Sequence, residues 1–450
     1  MTEVRRKLGA NYHKLFGSGV AANLGDGLMA VAVVWLASSV TRDALMIALV
    51  GVAGRLPWLL FSLPAGVISD RLDRRKLVAW MDVARFAVVA ALSLVVLRFQ
   101  AELPTPEELA AGAPEPTSGP LLLLALGIAS FLLGCAEVLR DNTAQTLMPS
   151  VVDKSQLEKA NGRMWAAENV MNNFVGPPLA GVLVTVALAL PFLINAGLLG
   201  VSAALVFALA GTFLPKAAGG PERSRRIDWR GEITEGFAWL WRHKLIRTLA
   251  ILLGLLNTLG NVAFVNAVLF AQDVLGLFDG WQFGLVTTGF AVGGVLGSLL
   301  GERVAKRLSP GTTLMVSISG MGASLIGMAL LPWAIPYWLL GVTSGIFIVI
   351  WNVITVSLRQ RLIPDHLLGR VNSVYRFFGW GTIAIGTVLG GALVNFGELF
   401  VSRATALQGV LLVAGLGHLA LIGLAAGRVS TEKIRAAEAA AEAEQVSDPA

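Results

Sequence analysis

The sequence predicts an all-α membrane protein of about twelve transmembrane helices, built as two pseudo-symmetric bundles of six. Of its 450 residues, 55% are hydrophobic and only 14% are charged, whereas soluble domains carry ~25% charged residues. Apolar runs long enough to cross a bilayer, which takes ~20 residues per helix, recur along the chain between short polar loops. Two similar stretches also lie six spans apart. These features exclude a soluble protein of this length.

The spans define the expected domain organisation. Residues 1–214 form the N-terminal bundle, 215–245 a cytoplasmic linker, 246–427 the C-terminal bundle and 428–450 a cytoplasmic tail. The predicted spans in chain order lie at about 15–38, 43–68, 77–99, 120–142, 164–187, 191–214, 246–271, 281–303, 311–331, 335–357, 372–396 and 404–427.

Loop charge predicts the orientation in the membrane. Every second loop is rich in Lys and Arg, whereas the loops between them hold little beyond Arg42, Arg98 and Arg403. Because cytoplasmic loops carry the excess of Lys and Arg, we expect a multi-pass inner (plasma) membrane protein with both termini in the cytoplasm. The net charge of +6 is explained by these loops, so we expect no nucleic-acid partner.

The linker contains an amphipathic pattern. Its second part, IDWRGEITEGFAWLWRHKL, brings large apolar side chains near one helical face. This pattern is typical of a helix that lies on the membrane surface. The side chains on that face are Trp229, Ile233, Phe237, Leu240 and Trp241.

An internal duplication relates the two halves. QTLMPSVVDKSQLEKANGR (145–163) and QRLIPDHLLGRVNS (360–373) each leave an even-numbered span with Gln-x-Leu-apolar-Pro and reach an Asn that opens the next span. Four residues must be gapped between Pro and Asn. Further on, GPPLAG (176–181) and GTVLGG (386–391) share glycine placement. Six-helix parallel repeats are a transporter plan with the substrate site between halves, although short matches also arise by chance.

The loop after the second span resembles a family signature. Gly66-Val-Ile-Ser-Asp70-Arg71-Leu-Asp73-Arg74-Arg75 is similar to the Gly-x-x-x-Asp-Arg/Lys-x-Gly-Arg/Lys-Arg/Lys loop of the major facilitator superfamily, with Asp73 in place of the second glycine. The resemblance covers nearly the whole chain and implies that fold. It also implies a cytoplasmic gate, in which Asp70 latches onto the N-terminus of the eleventh span near Arg376. The gate residues are Gly66, Asp70, Arg71, Arg74, Arg75 and Arg376.

Two motifs resemble one branch of that superfamily, the drug:proton antiporters with macrolide and siderophore exporters. The Gln-x-Leu-x-Pro run is one. The other is Gly176-Pro177-Pro178-Leu-Ala-Gly181, which is similar to the Gly-Pro-x-x-Gly-Gly motif associated with antiporters. Its physical basis is packing, because glycines allow close helix approach and prolines kink a span. A generic tight helix crossing remains the alternative.

Charged residues at membrane depth are candidates for proton coupling, because each costs at least ~2.5–3.5 kcal/mol there. Asp26 and Arg55 lie about mid-span in the first two helices, so we expect an ion pair in which Asp26 carries the proton. A static structural pair is the alternative. Glu137, near the end of the fourth span, is the second candidate. Its neighbours Arg140 and Asp141 are better explained as interfacial charges that snorkel to water.

Amides at membrane depth are candidates for a polar substrate cavity. Asn23 lies in the first span, Asn257 and Asn261 in the seventh at i,i+4 spacing, and Asn352 in the tenth. In transporters of this plan, spans one, four, seven and ten border the pathway. The alternative is hydrogen bonding between helices.

Together these observations predict a proton-coupled exporter of small amphipathic molecules, either drugs or secondary metabolites, that works by alternating access as a monomer in the lipid bilayer. An importer, a lipid flippase or a non-transporting membrane sensor remain alternatives. The chain has no Gly-x-x-x-x-Gly-Lys-Ser/Thr loop, no Cys/His cluster with metal spacing and no nucleophile–base arrangement. We therefore expect no enzyme activity, cofactor or metal.

Overall fold

The structure is a computed structural model that describes residues 8–69, 72–153, 156–211, 213 and 229–447. Helices account for all of the regular secondary structure in these ranges. The helices in chain order are α1 Ala10–Ser38, α2 Ala44–Ser69, α3 Arg74–Phe99, α4 Pro106–Ala110, α5 Gly119–Val151, α6 Leu157–Asn169, α7 Gly176–Val186, α8 Leu190–Phe207, α9 Trp229–Arg242, α10 Lys244–Phe264, α11 Ala267–Asp273, α12 Gly280–Arg307, α13 Pro310–Leu330, α14 Ala334–Leu362, α15 Asp365–Gly397, α16 Arg403–Ala426 and α17 Thr431–Ser447.

Eleven helical stretches within the described ranges are long and apolar enough to cross a membrane. They match eleven of the predicted spans within a few residues at most ends. The remaining predicted span, 164–187, corresponds to α6 and α7, which are joined by a π-helical segment over Val170–Val175. Pro177 and Pro178 follow that segment in the first turn of α7. Because proline has no N–H to donate to the preceding turn, the wider π turn accommodates the lost hydrogen bonds.

The seventh span is also interrupted. α10 ends at Phe264 and α11 begins at Ala267, with Asn266 between them. The Asn266 side-chain amide donates to the carbonyl oxygen of Val262 at 3.3 Å and to that of Gly390 at 3.1 Å. A break at membrane depth is tolerated where side chains satisfy the freed backbone groups, and here the amide does so while linking this span to α15.

Helix starts follow local sequence signals. Asp73, which stands where the family loop has a glycine, is the N-cap of α3 and accepts from the Lys76 backbone N–H at 3.2 Å. Its φ of −61° is an ordinary backbone angle, so no glycine is required there. Thr105 and Glu108 form a capping box at α4. Hydrogen bonds from the Thr105 backbone N–H and hydroxyl hold the pKa of the Glu108 carboxyl below its usual value.

α9 forms where the amphipathic pattern predicts it. Leu240 is buried, and Gly236 lies so close to the Arg370 backbone that a Cβ there would be 2.8 Å from the Arg370 carbonyl carbon. Phe237 and Trp241 remain exposed, with their rings stacked at 5.4 Å between centroids. α9 therefore packs one side against α15 and presents an aromatic pair on another. The side chains of Trp229 and Ile233 lie outside the described residues, and the position of α9 on the membrane surface stays a prediction.

Contacts divide the chain into two compact units. Unit 1 comprises Met1–Gly219 with Leu277–Leu285, and unit 2 comprises Gly220–Gly276 with Val286–Ala450. In unit 1, α3 packs on α8 and α5, and α1 packs on α8 and α7. In unit 2, α13 packs on α16 and α14, and α10 packs on α16 and α15. These are the pairings that a six-plus-six repeat requires, because each helix of unit 2 stands six spans after its counterpart.

A close helix crossing in unit 1 depends on two glycines. A Cβ on Gly27 of α1 would lie 2.6 Å from the Met171 carbonyl oxygen and 2.9 Å from Gly176 Cα. A Cβ on Gly176 would lie 2.5 Å from Gly27 Cα. Only hydrogen at both positions lets the backbones approach this closely. Gly176, the first glycine of the antiporter-like motif, therefore sets the distance between α1 and the fifth span. Its contact on α1, Gly27, is the residue next to Asp26.

Substituting Gly27 tests this crossing. Gly27→Ala places a methyl group against backbone atoms that cannot rotate away, and overpacking of this kind costs about 1–3 kcal/mol. We expect a lower melting temperature for the purified protein, measured by intrinsic tryptophan fluorescence. Gly197→Ala in α8, where no atom lies within 4 Å of the new Cβ, is the matched control and should melt as wild type. Equal melting temperatures of the two variants would show that the crossing accommodates a methyl group at Gly27.

Candidate functional site

A buried network of charged side chains joins four helices of unit 1. At its centre is Asp82 of α3, which is 0% exposed. Its Oδ1 accepts from Arg140 Nε of α5 at 3.1 Å, and its Oδ2 accepts from Ser202 Oγ of α8 at 2.6 Å. Ser202 Oγ lies 2.8 Å from Ser18 Oγ of α1. One carboxylate thus connects the helices that form the core of the unit.

Asp26 pairs with Arg85 and not with Arg55, which corrects the sequence-based expectation. Arg85 Nη2 on α3 forms a hydrogen-bonded ion pair with Asp26 Oδ1, and Arg85 Nη1 lies 3.7 Å from Asp82 Oδ1. Arg55 is exposed on α2. The reason is packing, because α1 and α3 both pack against α8. The position of a residue along its span does not show which neighbouring span faces Asp26.

Arg140 is a member of the buried network and not an interfacial charge, which corrects a second expectation. It is 5% exposed, and its Nη1 lies 3.0 Å from Asp141 Oδ1. Its Nη2 also lies 3.5 Å from Ser18 Oγ. A guanidinium buried in this way is stable only because two carboxylates and a hydroxyl surround it.

Acidic groups outnumber basic groups in this network. Glu137 of α5 lies within electrostatic range of Asp26, Asp141 and Arg85. Four carboxyl groups therefore face two guanidinium groups, and an excess of two negative charges remains when all of them are ionised. Arg55 and Glu168, both exposed, lie at the edge of the network. They add one positive and one negative charge, so the excess of two negative charges is unchanged. The side chain of Asp26 is 27% exposed, whereas that of Asp82 is fully buried.

The predicted gate residues are only partly described. Asp70, Arg71 and the side chain of Arg376 lie outside the described residues, and Gly66 falls in the last turn of α2. Arg74 donates its backbone N–H to the Phe213 carbonyl oxygen at 3.3 Å. Arg75 Nη1 donates to the Leu209 carbonyl oxygen at 2.8 Å. The two arginines therefore bind the chain that follows α8, and their part in a gate stays a prediction.

Asn23 and the antiporter-like motif both lie where α1 meets the fifth span. Asn172 Nδ2 in the π segment donates to Asn23 Oδ1 at 3.1 Å. Asn23 Nδ2 donates to the Gly19 carbonyl oxygen of its own helix at 2.7 Å. Gly181 packs closely against Gly280, and both residues belong to unit 1. Asn23 thus links helices within unit 1, and a role in binding substrate stays a prediction.

The other three predicted amides share one cavity in unit 2. It encloses about 520 Å³, within the size range of small-molecule sites. Asn257 and Asn261 of α10 and Asn352 of α14 all line it. Aromatic and sulfur-containing side chains form much of the remaining wall, namely those of Phe264, Phe290, Met321, Met328, Tyr337, Trp351 and Tyr375.

The amides present hydrogen-bond acceptors to this cavity. Asn257 Nδ2 donates to the Gly379 carbonyl oxygen at 3.0 Å, and the other two amides donate to carbonyl oxygens of their own helices, Asn257 and Ile348. Their three side-chain oxygens accept no hydrogen bond within the described part of the chain. Trp351 is 3% exposed and its indole N–H has no partner there. The wall thus offers both acceptors and a donor to a bound molecule.

Two basic side chains complete the lining, and no carboxylate contributes to it. Arg359 lies over the Tyr375 ring, with Cζ 3.9 Å from the centroid. His418 Nδ1 lies 2.8 Å from the Ala414 carbonyl oxygen, which orients Nε2 away from the backbone of α16. Among the described residues, the carboxyl groups at membrane depth thus gather in unit 1, while this cavity is polar without being acidic.

Sequence reasoning missed Asp82 and underrated Arg85 and Arg140. One signal was available. Asp82 and Arg85 stand three residues apart in the apolar run of the third span, and i,i+3 side chains share a helix face. Ser18 and Ser202 carried no signal, because small hydroxyl residues are common in transmembrane helix interfaces.

Membrane-spanning helices that enclose a charged network, together with a polar cavity, define a multi-pass membrane transport protein. The Major Facilitator Superfamily profile matches residues 15–387. The chain belongs to this superfamily, whose members are transporters and not enzymes, and it acts on small-molecule substrates.

Relatives and solved structures agree with that assignment. The multidrug efflux pump Tap of Mycolicibacterium fortuitum is 26% identical over 387 residues, covering 84% of this chain and 88% of Tap. The enterobactin exporter EntS of Escherichia coli O1:K1 / APEC is 24% identical over 392 residues, covering 83% and 82%.

Two solved structures show the same fold. A bacterial homologue of the iron transporter ferroportin in the inward-facing state has a TM-score of 0.66 at 16% identity, covering 92% of this chain and 99% of that one. A mutant of the nucleoside transporter NupG has a TM-score of 0.71 at 12% identity, covering 93% and 100%.

Removing the central carboxylate tests the network. Asp82→Asn leaves two buried guanidinium groups short of a partner, and breaking a buried pair in this way costs about 3–5 kcal/mol. We expect a large loss of thermal stability for Asp82→Asn, and a much smaller loss for Asp26→Asn, because the Asp26 side chain is partly exposed. A double-mutant cycle with Arg140→Gln should show strong coupling. Additive losses would mean that the pair contributes nothing to stability.

Proposed function

We propose that this protein is a proton-coupled exporter of small amphipathic molecules. The observation that carries the proposal is the excess of carboxyl groups over guanidinium groups, four against two, in the network of unit 1. Net charge within a bilayer is strongly unfavourable, so the network favours a state that holds one or two protons. Two relatives carry names that describe an efflux pump and an exporter, which supports the outward direction.

Asp26 is the proton-carrying group in this proposal. Asp82 is enclosed by Arg140, Ser202 and Arg85 and is the structural centre of the network. Within the described ranges Asp26 pairs with Arg85 alone, and its side chain is partly exposed. When Asp26 takes up a proton, its hold on Arg85 weakens and the link between α1 and α3 loosens. Glu137 is the second candidate because it is electrostatically coupled to Asp26, and Arg55 influences Glu137 from the exposed edge.

The cavity in unit 2 supplies the substrate contacts in this proposal. Its aromatic wall suits an apolar ring system, while Asn257, Asn261 and Asn352 offer acceptors to hydroxyl or amide groups. A site that mixes apolar surface with a few placed polar groups is typical of small-molecule recognition. If an amphipathic molecule bound there displaces protons from unit 1, substrate and protons cross in opposite directions by alternating access.

Orientation and gating complete the proposal. In this proposal both termini lie in the cytoplasm, an orientation that the basic loops favour, and the inward proton gradient across the plasma membrane drives export. The loop with Gly66, Asp70, Arg71, Arg74 and Arg75 closes the cytoplasmic side with the help of Arg376. The close crossing at Gly176 holds the fifth span against α1, while Pro177 and Gly181 pack closely against Gly284 and Gly280 of α12. A single chain suffices, so the working form is a monomer.

Transport by proteoliposomes tests proton coupling. A probe substrate is first chosen by a susceptibility panel in a host that lacks its own exporters. In vesicles with an imposed pH gradient, wild type should accumulate the probe and dissipate the gradient. Asp26→Asn should lose gradient-driven transport because an amide takes up no proton, yet retain exchange of the probe when no gradient is present. Glu102→Gln, an exposed carboxylate paired with Arg98, is the control and should behave as wild type.

Gradient-driven transport by Asp26→Asn at the wild-type rate would exclude Asp26 as the coupling group. Absence of any probe-dependent proton movement in wild type, for every compound in the panel, would contradict proton-coupled export itself.

The same vesicles test the cavity. Asn261→Ala removes an acceptor and disturbs only a bond within its own helix. Because one hydrogen bond contributes about 0.5–1.5 kcal/mol, we expect the half-saturating probe concentration to rise roughly 3- to 10-fold. Thr343→Ala, which also bonds only within its helix but does not line the cavity, should leave it unchanged. An equal effect of both substitutions would place the substrate elsewhere.

A further inference from the structure

A second cavity in unit 2 is strongly basic. It encloses about 890 Å³ between the end of α9, the start of α10, the end of α16 and α17. No acidic side chain is among its lining residues. Its cationic side chains are Arg242, Lys244, Arg247, Arg428 and Lys433.

These cations have no acidic partner in the described part of the chain. Arg247 Nη1 donates to the Trp241 carbonyl oxygen at 3.1 Å, Arg428 Nη1 donates to the Leu424 carbonyl oxygen at 3.4 Å, and Lys433 Nζ donates to the Gly427 carbonyl oxygen. Carbonyl oxygens orient the side chains without neutralising their charge.

Elsewhere in unit 2 arginines do form ion pairs. The pairs are Arg361 with Glu438, Arg370 with Glu235, and Arg403 with Asp273. The basic cavity differs from these sites because it gathers five cationic side chains with no acidic residue in its lining. A concentration of unneutralised positive charge attracts an anion.

One side of the cavity is apolar. Leu245, Ile251, Leu424 and Ala437 line it together with the cationic groups. Ile251 lies seven residues after the start of α10 at Lys244, which is ~10 Å along a helix that rises 1.5 Å per residue. The cavity thus runs from a charged rim at the helix ends toward membrane depth.

The neighbouring surface of α9 suits a lipid interface. Trp241 is 45% exposed and stacks on the exposed Phe237, and the Arg247 guanidinium lies 5.5 Å from the centroid of the Trp241 ring. Aromatic rings at this position favour the headgroup level of a bilayer. A positive rim, an apolar wall and an aromatic edge match a molecule with an anionic head and a hydrocarbon tail.

We infer that this basic cavity binds an anionic phospholipid, with the phosphate of the headgroup among Arg247, Arg428 and Lys433 and an acyl chain along the wall toward Ile251. Basic pockets between transmembrane helices at one membrane face bind such headgroups by charge complementarity. The inference does not depend on the substrate or on proton coupling, so it stands or falls separately from the proposed function.

Native mass spectrometry of the purified full-length protein tests the site. Phosphatidylglycerol and phosphatidylcholine are added separately, and the retained lipid is counted for each. Each nearby Lys or Arg strengthens binding of the anionic lipid. Three such charges should therefore favour phosphatidylglycerol over phosphatidylcholine about 100-fold. Arg247→Gln/Arg428→Gln/Lys433→Gln should remove most of that preference. Arg428→Gln alone, at the exposed end of α16, should lower it by up to ~10-fold and serves if the triple variant does not fold.

Two further variants control for charge and for fold. Arg247→Lys/Arg428→Lys/Lys433→Arg retains the positive charge and should keep the preference. Lys159→Gln/Arg303→Gln/Arg307→Gln removes three exposed cations outside the cavity and should also keep it. Wild type that retains both lipids equally, or an equal loss in the outside variant, would overturn the site. Displacement of phosphatidylglycerol by inorganic phosphate at constant ionic strength would overturn the lipid assignment in favour of a soluble anion.

Discussion

The fold of unit 1 depends on Asp82 being fully surrounded by partners. An isolated carboxylate inside a bilayer is unstable, and so is an isolated guanidinium. Asp82, Arg140 and Ser202 satisfy one another across α3, α5 and α8, and Ser18 adds α1. Since each group is stable only while the others are in place, the network specifies how these four helices pack against one another.

Because Asp82 is fully bonded to its partners, the neighbouring carboxyl groups of the network are available for another role. Among the described residues Asp26 pairs with Arg85 and is partly exposed, and Gly27, the next residue, lies at the close crossing of α1 with the fifth span. A change in the Asp26–Arg85 pair therefore acts at a point where three spans meet. The cavity of unit 2 is lined by amides and aromatic rings without a carboxylate, so the two units differ in the chemistry of their polar groups.

The spans and the repeat could be predicted from the sequence, because hydropathy and loop charge are local properties. The grouping of Asn257, Asn261 and Asn352 in one cavity could be anticipated from their depth. The partner of Asp26 could not, because depth along a span does not reveal which helix lies beside it. Asp82 was hidden for the same reason, since its partners stand 58 and 120 residues away in the chain. The π segment became visible only with the backbone, although Pro177 and Pro178 mark its end.

The central claim is that the network holds one or more protons which substrate binding displaces. Calorimetry of substrate binding to the purified protein, repeated in buffers with different ionisation enthalpies, measures the number of protons released. The account predicts release of about one to two protons per protein molecule, since burial disfavours the excess charge of the network. Binding heats that are identical in all buffers would mean that no proton is displaced, and would contradict it.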